Sequence, residues 1–425
     1  MSSGLSRSGG IVLLCKWQRQ IVESLIALDI PFGIILDEFD ARFMNPDWSL
    51  LERAELVYRI SHFDSLQELG EVAVDLRLRR VRIDHVISYT EFSQFGAGYL
   101  EILLREGAQA PLRHVAVRDK RLMKDLVAEA GVATAAFRSL VRADRAAELA
   151  GQLDYPVVVK PATGFGTIST LRIDSAEEFT EKVSGYSIDQ MINSRQFIVE
   201  EFIEGEELYV DAFWRDGEPV YLFLSAYYEP RLSLDTADLS GREIVDGGYV
   251  IPLSEDPELH RRVLELHKNV NRALGIADGL THLELFRSPD GRLVFSEIAT
   301  RLGGGWIPEM LSKALGHDVW DVIVRETIGI PVPERATPPE FIGGISLKPQ
   351  KPGRIVAMTP AEEMTSVPGL LHWQVVHGEG EIASLNHPSD WCAFAIVGAD
   401  SRAEFEQRVA ELRRRAVIET EPVQD

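Results

Sequence analysis

Within Gly279 to Trp306, GLTHLELFRSPDGRLVFSEIATRLGGGW, two glutamates, an arginine and three glycines have the types and spacing for metal and phosphate chemistry. The segment reads as a strand from Thr281 to Arg287, a Ser288-Pro289-Asp290-Gly291 turn, and a second strand from Arg292 to Ile298. Pro at the second turn position and Gly at the fourth suit a type I turn. With Pro289-Asp290 as a two-residue loop, strand alternation puts Glu284 on one face with Phe295 and Glu297, extended by His282, Ala299 and Arg301. A three-residue loop would break that register. Carboxylates are hard oxygen ligands for Mg²⁺, which keeps waters and takes its other ligands from substrate phosphates. Arg301 offers a planar fork to phosphoryl oxygens. Charged hairpin residues more often simply face water. Leu283, Leu285, Val294 and Ile298 are expected to pack the opposite side.

A partner motif lies upstream. Tyr155-Pro156-Val157-Val158-Val159-Lys160-Pro161 is a short β-branched strand ending in a lysine, and it runs into Ala162-Thr163-Gly164-Phe165-Gly166-Thr167-Ile168-Ser169-Thr170. A lysine and a small-residue loop supply point charge and approachable backbone N–H groups to a triphosphate. The lysine precedes the glycines, so this is not a P-loop. A third stretch, from Ile198 to Asp211, starts as a strand, bends at Gly205 among acidic residues, and resumes alternation through Val210, Ala212 and Trp214. Such a hinge can carry a purine ring; taken alone it is a strand end.

In this order the motifs resemble the ATP-grasp superfamily and, within it, the carboxylate–amine ligases that join amino acids, the L-amino acid (dipeptide) ligases. The resemblance covers nearly the whole chain and adds a fifth motif, Arg118-Asp119-Lys120-Arg121-Leu122-Met123. It implies ATP and Mg²⁺, with Mn²⁺ as an alternative. Lys120 and Lys160 would contact nucleotide phosphate, with Gly164 and Gly166 in the loop that closes over it. Glu200 would accept from the adenine amino group, Glu201 and the Ile203 backbone would meet the ring, and Glu207 would hold the ribose hydroxyls. Glu284 and Glu297 would ligate the metal, and Arg301 would face the transferred phosphoryl group. One departure stands out: the superfamily commonly has Glu-x-Asn-x-Arg, whereas this chain reads Glu297-Ile298-Ala299-Thr300-Arg301. Alanine cannot coordinate, so a second Mg²⁺ would be held by water, bound more weakly, or absent.

The substrates implied are small amino acids or peptides. His282 would bind the nucleophile's carboxylate or act as a base, a hydrogen-bonded structural histidine being an equal reading. Gly304 and Trp306 could shape the substrate pocket, and Glu91 could reach it. Arg231 and Arg242, in a long polar stretch over 226–248, are candidates for substrate carboxylates, with surface solvation the default. Two other readings compete: a purine-pathway or carboxylase-type ATP-grasp enzyme, and a non-catalytic nucleotide-binding protein motivated by Ala299.

These elements need a scaffold, and the 425 residues, 45% hydrophobic and 26% charged, suffice for two or three domains. Residues 1–115 alternate short strands with helices, as in a parallel sheet. This resembles the Rossmann-like domain that precedes ATP-grasp domains, though no GxGxxG follows its first strand. Residues 116–196 would form the first nucleotide lobe and 197–330 the second, with the metal hairpin. After the Pro-rich stretch near 331–339, an α+β cap would complete the chain through residue 425. The fold class is thus α/β and α+β. Cys15 and Cys392 are the two cysteines, too few for a disulfide framework, and Cys15 reads as a core thiol. A net charge of −22 argues against nucleic acid or an anionic membrane as partner. No signal peptide or membrane-spanning stretch is expected, which fits a cytoplasmic enzyme, with a homodimer left open.

Overall fold

The structure, a computed structural model, describes residues 9–105, 111–189, 192, 194–234, 245–333, 337–385 and 390–423. The first strands, β1 (Ile11–Cys15), β2 (Phe32–Leu36), β3 (Leu56–Arg59) and β4 (Ile83–Ser88), form the expected parallel sheet in the order β3-β2-β1-β4. Alternate residues of β1 enter two different cores. Val12 and Leu14 pack with Ile21 and Leu25 of one helix, whereas Ile11, Leu13 and Cys15 pack with Leu69 and Leu76 of another. A strand buried on both faces is why the run IVLLC carries no polar alternation. Cys15 is fully buried, and burial pushes its thiol pKa upward, as befits a core cysteine.

A small antiparallel sheet follows, ordered β5-β8-β6-β7, from β5 (Phe137–Leu140), β6 (Val157–Pro161), β7 (Leu171–Ile173) and β8 (Phe197–Glu201). Because β8 pairs with β5 and β6, this lobe extends to Glu201, five residues past the division expected at 196. Hydrogen bonding, invisible to local sequence, decides that boundary.

The large sheet contains β9 (Glu206–Arg215), β10 (Glu218–Tyr227), β11 (Gly247–Val250), β12 (Gly279–Arg287) and β13 (Leu293–Ala299). The C-terminal segment supplies β14 (Phe341–Leu347), β15 (Gly353–Met358), β16 (Leu370–Val375), β17 (Ile382–Ala383), β18 (Ala393–Ala399) and β19 (Ile418–Glu421). Eight of these join in the order β13-β12-β9-β10-β11-β14-β18-β16, and β17-β15-β19 form a small separate sheet. The α+β C-terminal segment therefore continues the large sheet through the β11–β14 pairing.

Two helices seat the N-terminal sheet over this scaffold. Ile307–Leu315 ends at Gly316 with φ of 65°, and Val319–Ile328 is capped by Asp318, whose carboxylate accepts from the Trp320 and Asp321 N–H groups. Their Met310, Leu315, Trp320 and Ile323 share one core with Trp17, Ile21 and Leu25. Among the described residues no helix is long and apolar enough to cross a membrane.

Candidate active site

A cleft of about 710 Å³ lies between the N-terminal sheet, the small β5-β8-β6-β7 sheet and the large sheet. The hairpin β12–β13 forms its floor by a route that differs from the simplest one. Ser288 N–H donates to the Arg292 carbonyl and Gly291 N–H to the Ser288 carbonyl, so Pro289, Asp290 and Gly291 (φ 80°) form a three-residue loop. Alone, that loop would pair Glu284 with Ser296. A bulge between Glu284 and Leu285 shifts the ladder by one residue, and Glu284 stands opposite Glu297 and His282 opposite Ala299. The two irregularities offset each other. Phe295 is the casualty of the expected pattern: it packs with Leu283 and Leu285 in the core, and Val294, expected there, faces Phe286 across the ladder instead.

Cross-strand partners have Cβ atoms about 4.5–5.5 Å apart, and like charges so placed repel. Cations answer them. Lys120 Nζ is 3.3 Å and Lys160 Nζ 3.6 Å from Glu297 Oε2. Burial would raise the Glu297 pKa, but the two lysines outweigh it and bring it down to about 2. Lys160 also sits 2.5 Å from Glu200 Oε1, and Lys124 sits 2.8 Å from Glu200 Oε2. Burial disfavours the Lys160 ammonium, yet Glu200 and Glu297 together raise its pKa.

Glu200, expected at the adenine, is engaged by two buried ammonium groups. Lys124 was not legible in the sequence; it lies four residues after Lys120, on the same face of the helix Lys120–Glu129, and that spacing is its one signal.

Glu284 is held from the other side. His282 Nε2 is 3.4 Å from Glu284 Oε1, His282 Nδ1 is 3.1 Å from Asp211 Oδ1, and Tyr227 Oη is 3.5 Å from Glu284 Oε1. Burial would lower the imidazole pKa, but Asp211 and Glu284 carry it up to about 9. The two carboxylates thereby favour the imidazolium, and His282 stands as a clamp between them. Asp211, nearly fully buried, also accepts from Gly303 N–H at 2.7 Å. A Cβ at Gly303 would lie 2.9 Å from the His282 ring, so the close approach requires glycine. Asp211 was missed as a site residue. Its signal is a lone carboxylate at alternate spacing from Glu207 and Tyr209 in an apolar strand, paired in register with His282.

At the far end, Ala135, Val158, Glu201, Phe202, Ile203 and Phe286 line the cleft. Glu207 is buried there and accepts from Arg231 N–H at 2.7 Å. Burial and then Glu284 raise its pKa to about 8. The Arg231 guanidinium is 2.6 Å from Asp246 and lies over the Tyr227 ring at 5.3 Å. Arg231 is thereby half-buried and paired, contrary to surface solvation, and it lines the cleft. Arg242 lies outside the described residues.

The loop after β6 arches over the cleft. Gly166, Thr167 and Ser169 have φ near 60°, and Lys120 Nζ donates to the Gly164 carbonyl at 2.7 Å. Arg301 and Glu91, expected separately on the substrate side, meet at 2.5 Å, and Arg118 pairs with the same carboxylate. Gly304 faces open space, and Trp306 is both a core residue and part of the cleft wall.

The donor set fits a divalent cation. Among the described residues no group of three or more His, Cys, Asp or Glu side chains gathers in metal-binding array. Glu284 and Glu297 would therefore give two hard oxygens and leave the remaining positions to water and phosphate, as Mg²⁺ favours. Ala299 adds none.

Three comparisons with known proteins bear on the chain as a whole. The model of a family described as the ATP-grasp domain matches residues 153–309. An L-arginine-specific L-amino acid ligase from Bacillus subtilis is 27% identical over 340 residues, 80% of each chain. D-alanine--D-alanine ligase A from Escherichia coli is 28% identical over 223 residues, 50% of this chain and 58% of that one. The crystal structure of an L-amino acid ligase from Bacillus licheniformis superposes with a TM-score of 0.73 over 98% of this chain and all of that one, at 18% identity.

Proposed function

We propose that this chain, an ATP-grasp ligase, joins the carboxylate of an amino acid or small peptide to an amine through an acyl phosphate, releasing ADP and phosphate. The observation that carries the reading is the convergence of Lys120 and Lys160 on Glu297, with Glu284 opposite it and Arg301 in the same cleft. Phosphoryl transfer asks mainly for positioning and charge neutralisation, and that cluster supplies both. The nucleoside would lie along Glu201 to Ile203, with Glu207 at the ribose, which puts the terminal phosphate at the lysines. Residues 116–201 and the large sheet would act as the two jaws, with the N-terminal sheet bringing the substrate.

Mg²⁺, or Mn²⁺, would be held by Glu284 and Glu297, and when bound it supplies charge neutralisation at phosphate oxygens. Every other task falls to the chain. Glu200 holds the Lys124 and Lys160 ammonium groups in place, so Lys160 reaches the phosphate without free rotation. His282 fixes one Glu284 oxygen and leaves the other to face the cleft. Lys120 ties the loop 161–170 to the head of its helix, and closure of that loop keeps water from an intermediate that water would destroy. Arg301, once exchanged from Glu91, can hold the substrate carboxylate and then the tetrahedral oxyanion formed when the amine attacks.

Neither cysteine is placed to carry an acyl group, both being buried. An oxygen-18 label on the substrate carboxylate should therefore appear in released inorganic phosphate. Label in AMP, with pyrophosphate as co-product, would overturn the reading.

A further inference from the structure

We infer that the activated substrate is an amino acid with a bulky apolar or aromatic side chain, received by a chamber of rings on the N-terminal-sheet side of Arg301. The inference rests on the ligase reading above and narrows its substrate. Past Arg301 the cleft is walled by Trp17, Tyr89, Phe92, Trp306, Trp320 and Trp391. Trp17, Tyr89, Trp306 and Trp320 belong to the core shared by the N-terminal sheet and the two helices after the glycine run, so packing fixes their faces. Tyr89 meets Trp320 edge to face at 5.3 Å, and its hydroxyl is spent on the Trp17 carbonyl. Gly305 has φ of 64°, and a Cβ there would come within 3.0 Å of the Trp391 ring, so the absence of a side chain lets the indole lie against the backbone. At the mouth Phe92 is half exposed and packs edge-on against Phe165 of the phosphate loop, 4.8 Å between centroids. A rigid apolar chamber that opens on a site for small substrates is built to bury a side chain.

Charge accounting weighs against a cationic side chain. Each carboxylate described at this end lies beside a cation of the chain, and Glu91 keeps Arg118 when Arg301 turns to the substrate. Glu91 pairs with Arg118 and Arg301, and Asp37 accepts from Lys16 Nζ at 2.7 Å on both oxygens. Asp40, fully buried, is 3.0 Å from the same ammonium and accepts from Trp17 N–H at 3.2 Å. A guanidinium entering here would lose its water and meet ring faces, a contact weaker than a carboxylate partner. A carboxylate held at Arg301 places its own side chain, a few bonds away, on the aromatic wall.

The test offers the full-length chain Mg·ATP and an equimolar mixture of L-phenylalanine, L-leucine, L-alanine, L-arginine and L-glutamate. The N-terminal residue of each dipeptide is read by tandem mass spectrometry. Phenylalanine and leucine should exceed arginine at that position at least tenfold; arginine at parity or in excess overturns the inference. In parallel, calorimetry with Mg·AMP-PNP present measures binding of L-phenylalanine and L-arginine. If no dipeptide forms from any pair, the ligase reading fails on its own. The chamber then stands if phenylalanine binds at least tenfold more tightly, and falls if affinities are equal, reversed or undetectable. Trp391→Glu, which puts an unanswered carboxylate into the wall, should raise the arginine-to-phenylalanine ratio at least tenfold; an unchanged ratio removes the wall from side-chain selection.

Discussion

Replacing His282 by Gln removes the cation that lies between two carboxylates without changing the length of the strand. The imidazole is 3.1 Å from Asp211 and 3.4 Å from Glu284, and only 7% of its side chain is exposed, so solvent screening is slight. Its pKa rises from 6.5 to about 9. At about 1.4 kcal/mol per pKa unit, that shift is worth about 3 kcal/mol of folding free energy, good to a unit or so of pKa. The sign follows from which state holds the proton more tightly. Below pH 6.5 both folded and unfolded chains carry it and the stabilisation is fully present. Between 6.5 and 9 the unfolded chain has lost the proton while the folded one keeps it, and each step upward costs stability until nothing remains beyond pH 9. Selective ¹³C labelling of histidine side chains, with the Gln variant as the assignment control, should show one ring titrating near pH 9. The wild-type advantage in urea unfolding should shrink by about 3 kcal/mol over the same window. A His282 midpoint at or below 6.5, or wild-type and variant stabilities that run parallel from pH 6 to 10, would refute the clamp.

Glu297→Gln should cut amino-acid-dependent phosphate release about 100-fold or more, the scale on which a single preorganised electrostatic group acts; turnover within a few-fold of wild type would dismiss the metal-pair assignment. Lys124→Met, which removes one of two ammonium partners from buried Glu200, should lower unfolding free energy by about 3 kcal/mol, read as a fall in the urea midpoint. Mg·ATP should protect the stretch 162–169 from limited proteolysis, since its glycines and small polar residues bury little to offset ordering; an identical cleavage rate with and without nucleotide would argue against a lid.

The chemistry was legible in the sequence where it depends on alternation along one strand. His282 and Glu284 share a face because they are two residues apart, and Val157 to Lys160 announce a strand that ends in a cation. What depends on the partner strand was not legible. Phe295 and Val294 exchange faces because a three-residue loop shifts the ladder by one, a bulge beyond them returns Glu297 to the face of Glu284, and no local pattern reveals their sum. Asp211 needed its register with His282, and the clamp on Glu200 needed a helix and a strand brought together from distant parts of the chain. Glu207 and Arg231 were both singled out, yet their mutual contact depends on the path of the backbone after β10.

The β11–β14 pairing has a consequence for anyone who would recombine this protein with its relatives. The Pro-rich stretch near 331–339 looks like a natural cut point, yet a chain ended there would leave β11 with a bare row of backbone donors and acceptors where Gly247 to Val250 now bond β14. Such an edge is a template for another chain. The same cut would strip Tyr228 and Tyr249 of the Phe341 and Phe405 rings packed around them. Grafting a foreign C-terminal segment therefore means matching a strand register and a hydrophobic seam, and a shuffled library spliced at the prolines should yield mainly insoluble protein. Crossovers in the exposed turn at Asp216-Gly217, between two strands that stay together, preserve the sheet and are where recombination should be tolerated.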